Sequence, residues 1–168
     1  MTTTVSEDLA AQRVEIVRKY FRMVDAGDPG LLDLDTDDVE IFFPKFGHGR
    51  GREDMSEFAR RLWIGLGSIE HDIEGLDIMV SGDRVAVEGR ECGTLADGTA
   101  WPDGQVSTGR FCNVFAFRGT LISSVHIYAD PDIASAHAEK VRQLHRGVVK
   151  RRPSASPTET CKARTARP

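Results

Sequence analysis

Three polar residues stand where the local pattern turns side chains inward among apolar neighbours: Tyr20, Glu91 and Asn113. Residues i, i+2 and i+4 of a strand share a face. Asn113 therefore shares one with Phe111, Phe115 and Phe117, and Glu91 shares one with Val85 and Val87. A carboxylate or amide held among such side chains costs free energy unless it has a partner or a function. Burial in an apolar cavity also raises a carboxylic acid's pKa, which suits it to exchange protons near neutrality. An acid, a phenol and an amide meeting in one cavity could abstract a proton and stabilise the oxyanion left behind. The competing reading is a polar pair that satisfies itself at the end of the core.

These side chains must be positioned by two kinds of element. Val14, Val17, Phe21 and Val24 recur at helical spacing and predict a helix over roughly 7–25 that carries Tyr20. It is stopped by Ala26, Gly27, Asp28, Pro29 and Gly30. A short strand follows from Val39 to Phe43, then a flexible turn holding Gly47, Gly49 and Gly51, then a helix over 52–66. Beyond it the period changes to two. Ile69 to Val80, Arg84 to Leu95, Ser107 to Arg118 and Leu121 to Asp130 read as four strands with mostly short links, an antiparallel meander. Helices followed by strands indicate an α+β domain with the helices packed on one face of a curved antiparallel sheet. If the long hairpin folds about Pro102, Glu91 lies directly opposite Asn113, with Cβ atoms ~5 Å apart. Asp132 to Leu144 reads as a last helix, and Val148 to Pro168 as a disordered tail. The domain is therefore taken as 1–145 and the basic tail as 146–168.

Composition narrows the functional classes. The first residues are polar and charged, unlike a signal peptide, and no apolar run is long enough to cross a bilayer, so a soluble, cytoplasmic protein is expected. The formal net charge of −4 hides an asymmetry, because seven basic residues and one acid follow from Arg146 onward. The acidic body argues against nucleic acid and anionic membrane as partners. Cys92, Cys112 and Cys161 are too scattered for a disulfide framework or a zinc site and are expected as thiols, although Cys92 and Cys112 could face each other across a hairpin. No phosphate-binding loop or metal-ligand spacing is present, so the sequence implies neither a metal nor a cofactor.

The segments RKYFRMVDAGD, VEIFFPKFGHGRG, GDRVAVEG and RFCNVFAFRGTLISSVHIYADP, in that order and spacing, resemble the SnoaL-like branch of the nuclear transport factor two superfamily. The resemblance covers about residues 14–133. It implies a cone in which helices close over the concave face of a strongly bent sheet and enclose a pocket. Relatives include ketosteroid isomerase, limonene epoxide hydrolase, polyketide cyclases and scytalone dehydratase, together with non-enzymatic binding domains. Tyr20 falls at the place of the isomerase's helical tyrosine, and Asn113 at its acidic oxyanion-hole donor. The isomerase's general base would fall at Phe43. The epoxide hydrolases use an Arg-x-Asp on a middle strand and an Asp on the last; the first acid falls at Glu91, the Arg at Gly89 and the second Asp at Ile127.

On this basis the expected activity is cofactor-independent proton abstraction, or activation of an epoxide or carbonyl, on an apolar polyketide-, terpenoid- or steroid-like molecule. Glu91 would be the base, Tyr20 and Asn113 the oxyanion donors, and His71, opening a strand at the pocket mouth, a reserve proton carrier. Phe43, Phe46, Trp63, Trp101, Phe111, Phe115 and Ile127 are candidate substrate contacts. His48 reads as a loop residue, and His137 and His145 as solvated. His126 and Tyr128 face the outer side of the sheet, beside Cys112, Val114 and Ala116, where a homodimer is expected. The alternative is a non-catalytic ligand-binding or dimerising module of the same fold.

Overall fold

The computed structural model describes residues 6–130. The predicted last helix, the tail and the proposed boundary at 145 lie outside the described residues. Helix α1 (Glu7–Ala26) begins at Ser6, whose hydroxyl accepts from the Leu9 amide at 3.3 Å. It ends at Gly27, where φ of 61° gives the left-handed cap that closes many helices. A 3-10 turn (Pro29–Leu34) leads into β1 (Asp35–Phe43), which starts four residues earlier than its apolar part suggests. The glycine-rich segment expected as a flexible turn instead forms β2 (Gly47–Arg50), paired with β1 and followed at once by α2 (Gly51–Gly65). Gly49 is required there by closeness, because a Cβ would lie 2.9 Å from Ile41 Cγ2.

The stretch read as one strand over 69–80 is two, β3 (Leu66–His71) and β4 (Asp77–Ser81), separated by a 3-10 turn at Ile73–Gly75. They are followed by β5 (Arg84–Leu95), β6 (Ala100–Trp101), β7 (Arg110–Arg118) and β8 (Leu121–Ala129). The sheet order is β2-β1-β8-β7-β5-β3, with β4 and β6 also paired to β5. β1 runs parallel to β8, so the strongly curled sheet is mixed rather than antiparallel throughout. The long chain between β1 and β8 allows this, since parallel neighbours need a crossover.

β5 is the spine of the curl. Residues 84–90 pair with β7, and residues 91–95 pair with β3. Two glycines permit the close approach: a Cβ on Gly89 would lie 2.6 Å from Leu76 Cδ2, and one on Gly93 would lie 2.0 Å from the Ser68 carbonyl oxygen. Against this surface α1 buries Val17, Tyr20 and Phe21, which join Val85, Val87, Phe115 and Val125 in one core. The two cysteines of the long hairpin do not oppose each other, because Cys92 faces Glu70 and Cys112 faces Glu88. Cys112 is a free thiol, whereas Cys92 is disulfide-bonded, contrary to the expectation of thiols throughout. Among the described residues no helix is long and apolar enough to cross a membrane.

Candidate functional site

Between α1, α2 and the concave side of the sheet lies a cavity of about 640 Å3, within the range of small-molecule sites. Tyr20, His71, Glu91 and Asn113 all line it. So do Phe43, Phe46, Trp63, Trp101 and Ile127. Phe111 and Phe115 do not; both are buried in the core, stacked around Phe21 and, for Phe115, against the Tyr20 ring at 5.1 Å.

His71 is the centre of the arrangement. It ends β3 and pairs directly with Glu91 on β5, and its Nε2 lies 3.3 Å from Glu91 Oε2. On its other side Nδ1 meets Asp25 Oδ1 in a very short contact, and its backbone amide donates to Asp25 Oδ2 at 3.0 Å. The imidazole is packed between the Phe21 and Phe111 rings, with centroids at 4.7 and 5.1 Å. Burial alone would push its pKa down, but the hydrogen bonds and charges of Asp25 and Glu91 outweigh it and raise His71 to about 9. At neutral pH it is therefore an imidazolium donating to two carboxylates.

Asp25 was not singled out from the sequence. It occupies the last turn of α1, where the helix dipole disfavours an anion and no basic residue compensates. The cation that holds it comes from β3. A signal was present: Asp25 is four residues after Phe21 and so continues the inward face of the helix.

The expected opposition of Glu91 and Asn113 does not occur. Asn113 pairs with Val87 on β5 and Ile127 on β8, and Glu91 lies four residues further along, opposite His71. The loop between β5 and β7 is asymmetric: β6 folds back on β5 at Gly93 and Thr94, and Asp130 accepts bonds from Ser107 Oγ at 2.6 Å and the Thr108 amide at 2.6 Å. A turn centred on Pro102 misses this fold-back. The two side chains meet the same cavity from different levels. Asn113 is 4 % exposed, and its Oδ1 has no partner among the described residues.

Tyr20 is equally buried, and its pKa is pushed up by burial and then by the Asp35 carboxylate, so it remains a protonated donor. Asp35, also missed, has no solvent exposure, and neither of its oxygens has a hydrogen-bond partner among the described residues. Phe43 packs edge-on against Phe46 and Phe58 at 5.6 and 5.7 Å, an aromatic wall where a base of the isomerase kind would stand. At Gly89 the space for a longer side chain is filled by Leu76 and Phe111. Among the described residues no three His, Cys, Asp or Glu side chains are grouped as metal ligands. His48, His126 and Tyr128 cluster around Phe42 and do not line the cavity.

The SnoaL-like domain family matches residues 17–125. A comparison with curated proteins returned no match. Among solved structures, an NTF2-like protein of unknown function from Burkholderia pseudomallei is 20 % identical with a TM-score of 0.61, covering 78 % of this chain and 95 % of that one. A candidate polyketide cyclase from Xanthomonas campestris pv. campestris is 18 % identical, TM-score 0.59, covering 71 % and 91 %. TerC, co-crystallised with polyporic acid, is 21 % identical, TM-score 0.60, covering 71 % and 92 %. At these identities the likeness is one of fold, the NTF2-like cone.

Proposed function

This chain belongs to the SnoaL-like domain family, and we propose that it is an acid–base enzyme acting on an apolar small molecule that carries a carbonyl or epoxide. The observation that carries this reading is His71, held as a cation between two carboxylates at the wall of an otherwise largely apolar cavity. A titratable group in a cleft, perturbed by burial and by specific charge partners, is the physical mark of a candidate functional site.

Glu91 takes the proton from the carbon beside the carbonyl, and the electron pair moves onto the carbonyl oxygen. Tyr20 and the Asn113 amide donate to that oxygen as it becomes negative. Asp25 holds His71 by its ring Nδ1 and by its backbone amide, and His71 in turn orients Glu91 and passes protons along the chain of three groups. Return of the proton to another carbon gives isomerisation; attack of the enolate carbon on a second carbonyl of the same molecule, whose oxygen then takes the proton, gives cyclisation; and delivery of the proton to a leaving hydroxyl gives dehydration. With an epoxide the same donors serve the ring oxygen, while Glu91 deprotonates the attacking water.

The site suggests its own trap. Glu91→Gln keeps the shape and removes the base, so a ligand extracted from that purified variant and identified by mass should be an apolar carbonyl or epoxide compound that wild-type protein converts. Recovery of the same compound unchanged from wild-type protein would make the chain a binding module instead.

A further inference from the structure

Residues 58–66, the second half of α2 and the first residue of β3, border the cavity without a gap. A helix shows consecutive residues to one space only where that space wraps around it, so the cavity opens to solvent here. Ile64, 65 % exposed, marks the rim. From this mouth β3 runs from Leu66 to His71, which pairs with Glu91, roughly 16 Å of strand. The acid–base groups therefore stand at the inner end. At the mouth two guanidinium groups share one carboxylate. Arg60 takes both oxygens of Glu57, with Nε donating to Oε2 at 2.7 Å and Nη2 to Oε1 at 2.8 Å. Arg61 donates to the same Oε1 through Nε alone, at 2.7 Å. These bonds hold Glu57 well below the usual carboxylate range, so it is ionised, and two positive charges face one negative. Among the described residues the two Nη nitrogens of Arg61 have no hydrogen-bond partner, and about half of its side chain is exposed. The other carboxylates that border the cavity are engaged elsewhere. Asp28 accepts from the Gly30 amide at 2.8 Å, Asp130 from Ser107 and Thr108, and Glu91 faces His71.

We propose that Arg61 is a specificity-determining residue: the substrate carries a carboxylate on the end that stays at the mouth, and the open edge of the Arg61 guanidinium binds it. The inference deepens the proposed function and rests on the reacting carbonyl lying beside Glu91. The two Nη groups present parallel N–H donors, which match the two oxygens of a carboxylate. Glu57 holds the guanidinium by its other edge and so leaves that pair of donors turned to a ligand. At a half-exposed site such a pair changes affinity up to about fivefold and is weakened by salt. It also fixes orientation, with the acid outward and the carbonyl inward.

The test compares tetralones bearing a carboxylate at one of the three ring positions far from the ketone with the matching primary carboxamides, which keep the shape and lose the charge. Isothermal titration calorimetry near neutral pH and at low salt reads the affinities. For at least one position wild type should bind the acid about fivefold more tightly than the amide, and the preference should shrink as salt rises to about 0.5 M. In Arg61→Gln, a change at an exposed position, acid and amide should bind equally while amide affinity stays at the wild-type value. No preference in wild type at any position, or the same preference in Arg61→Gln, would overturn the role of Arg61 and leave the proposed chemistry standing. Failure of acids and amides alike to bind would overturn both readings, because the cavity would not accept an aromatic ketone at all.

Discussion

If His71 is a cation clamped between Asp25 and Glu91, the protein should lose stability as pH rises past neutrality. The folded-state pKa is about 9 against 6.5 for the unfolded chain. Below 6.5 both states carry the proton and the stabilisation is complete. Between 6.5 and about 9 the unfolded state releases its proton while the folded state retains it, so the unfolding free energy falls with pH. At about 1.4 kcal/mol per unit the full loss is about 3 kcal/mol, a large part of the about 5–15 kcal/mol that holds a domain together. Urea unfolding of wild type and His71→Gln, followed by tryptophan fluorescence, isolates this contribution. The variant leaves two carboxylates without their cation and is destabilised at pH 6.5, but glutamine does not titrate. The gap between the two proteins should therefore close by about 3 kcal/mol on going to about pH 9.5. A gap of the same size at both pH values would refute the charged clamp.

Asp35 gives the opposite experiment, because its folded pKa is raised from 3.8 to about 7. Between those values the unfolded chain releases its proton while the folded state keeps it, so the wild type loses stability as pH climbs; Asp35→Asn should be indistinguishable from wild type near pH 4 and gain up to about 4 kcal/mol on it by pH 8, measured by denaturant titration. Gly93→Ala places a Cβ 2.0 Å from the Ser68 carbonyl, between the strands that hold His71 against Glu91; a loss of about 1–3 kcal/mol is expected by thermal or urea unfolding. On the outer face of the sheet, Tyr128 is 46 % exposed beside Phe42, His126 and His48. An apolar, aromatic sheet face of this kind is expected to pair with a second copy, so sedimentation at micromolar concentration should give about twice the 18.5 kDa chain mass, and a monomer would count against it.

The architecture was readable wherever the hydrophobic period is long. The helix carrying Tyr20 and the strands carrying Glu91 and Asn113 follow from spacing alone, because a one-residue slip would turn Phe111, Phe115, Val85 and Val87 outward. The parallel pairing of β1 with β8 has no such local signature; it joins segments some eighty residues apart in sequence. Register across the long hairpin was beyond reach for a related reason: it is set by β6 and the bonds to Asp130, not by a tight turn. The same limit explains the site. Tyr20, Glu91 and Asn113 were visible as misfits on apolar faces, whereas the role of His71 depends on Asp25, forty-six residues away. Asp35 was hidden in an acidic run where a bulge between Asp35 and Glu40 breaks the alternation that would have marked it as buried.

The most direct test of the central claim is proton exchange at the carbon beside a carbonyl. An apolar bicyclic ketone such as tetralone, incubated in deuterated buffer and followed by NMR, should exchange its α-protons faster with wild-type protein than in buffer alone. Glu91→Gln, folded and still binding the ketone, should slow the protein-dependent exchange at least about a hundredfold. Exchange at the wild-type rate in that variant, or a bound ketone that exchanges no faster than in buffer, would contradict the account.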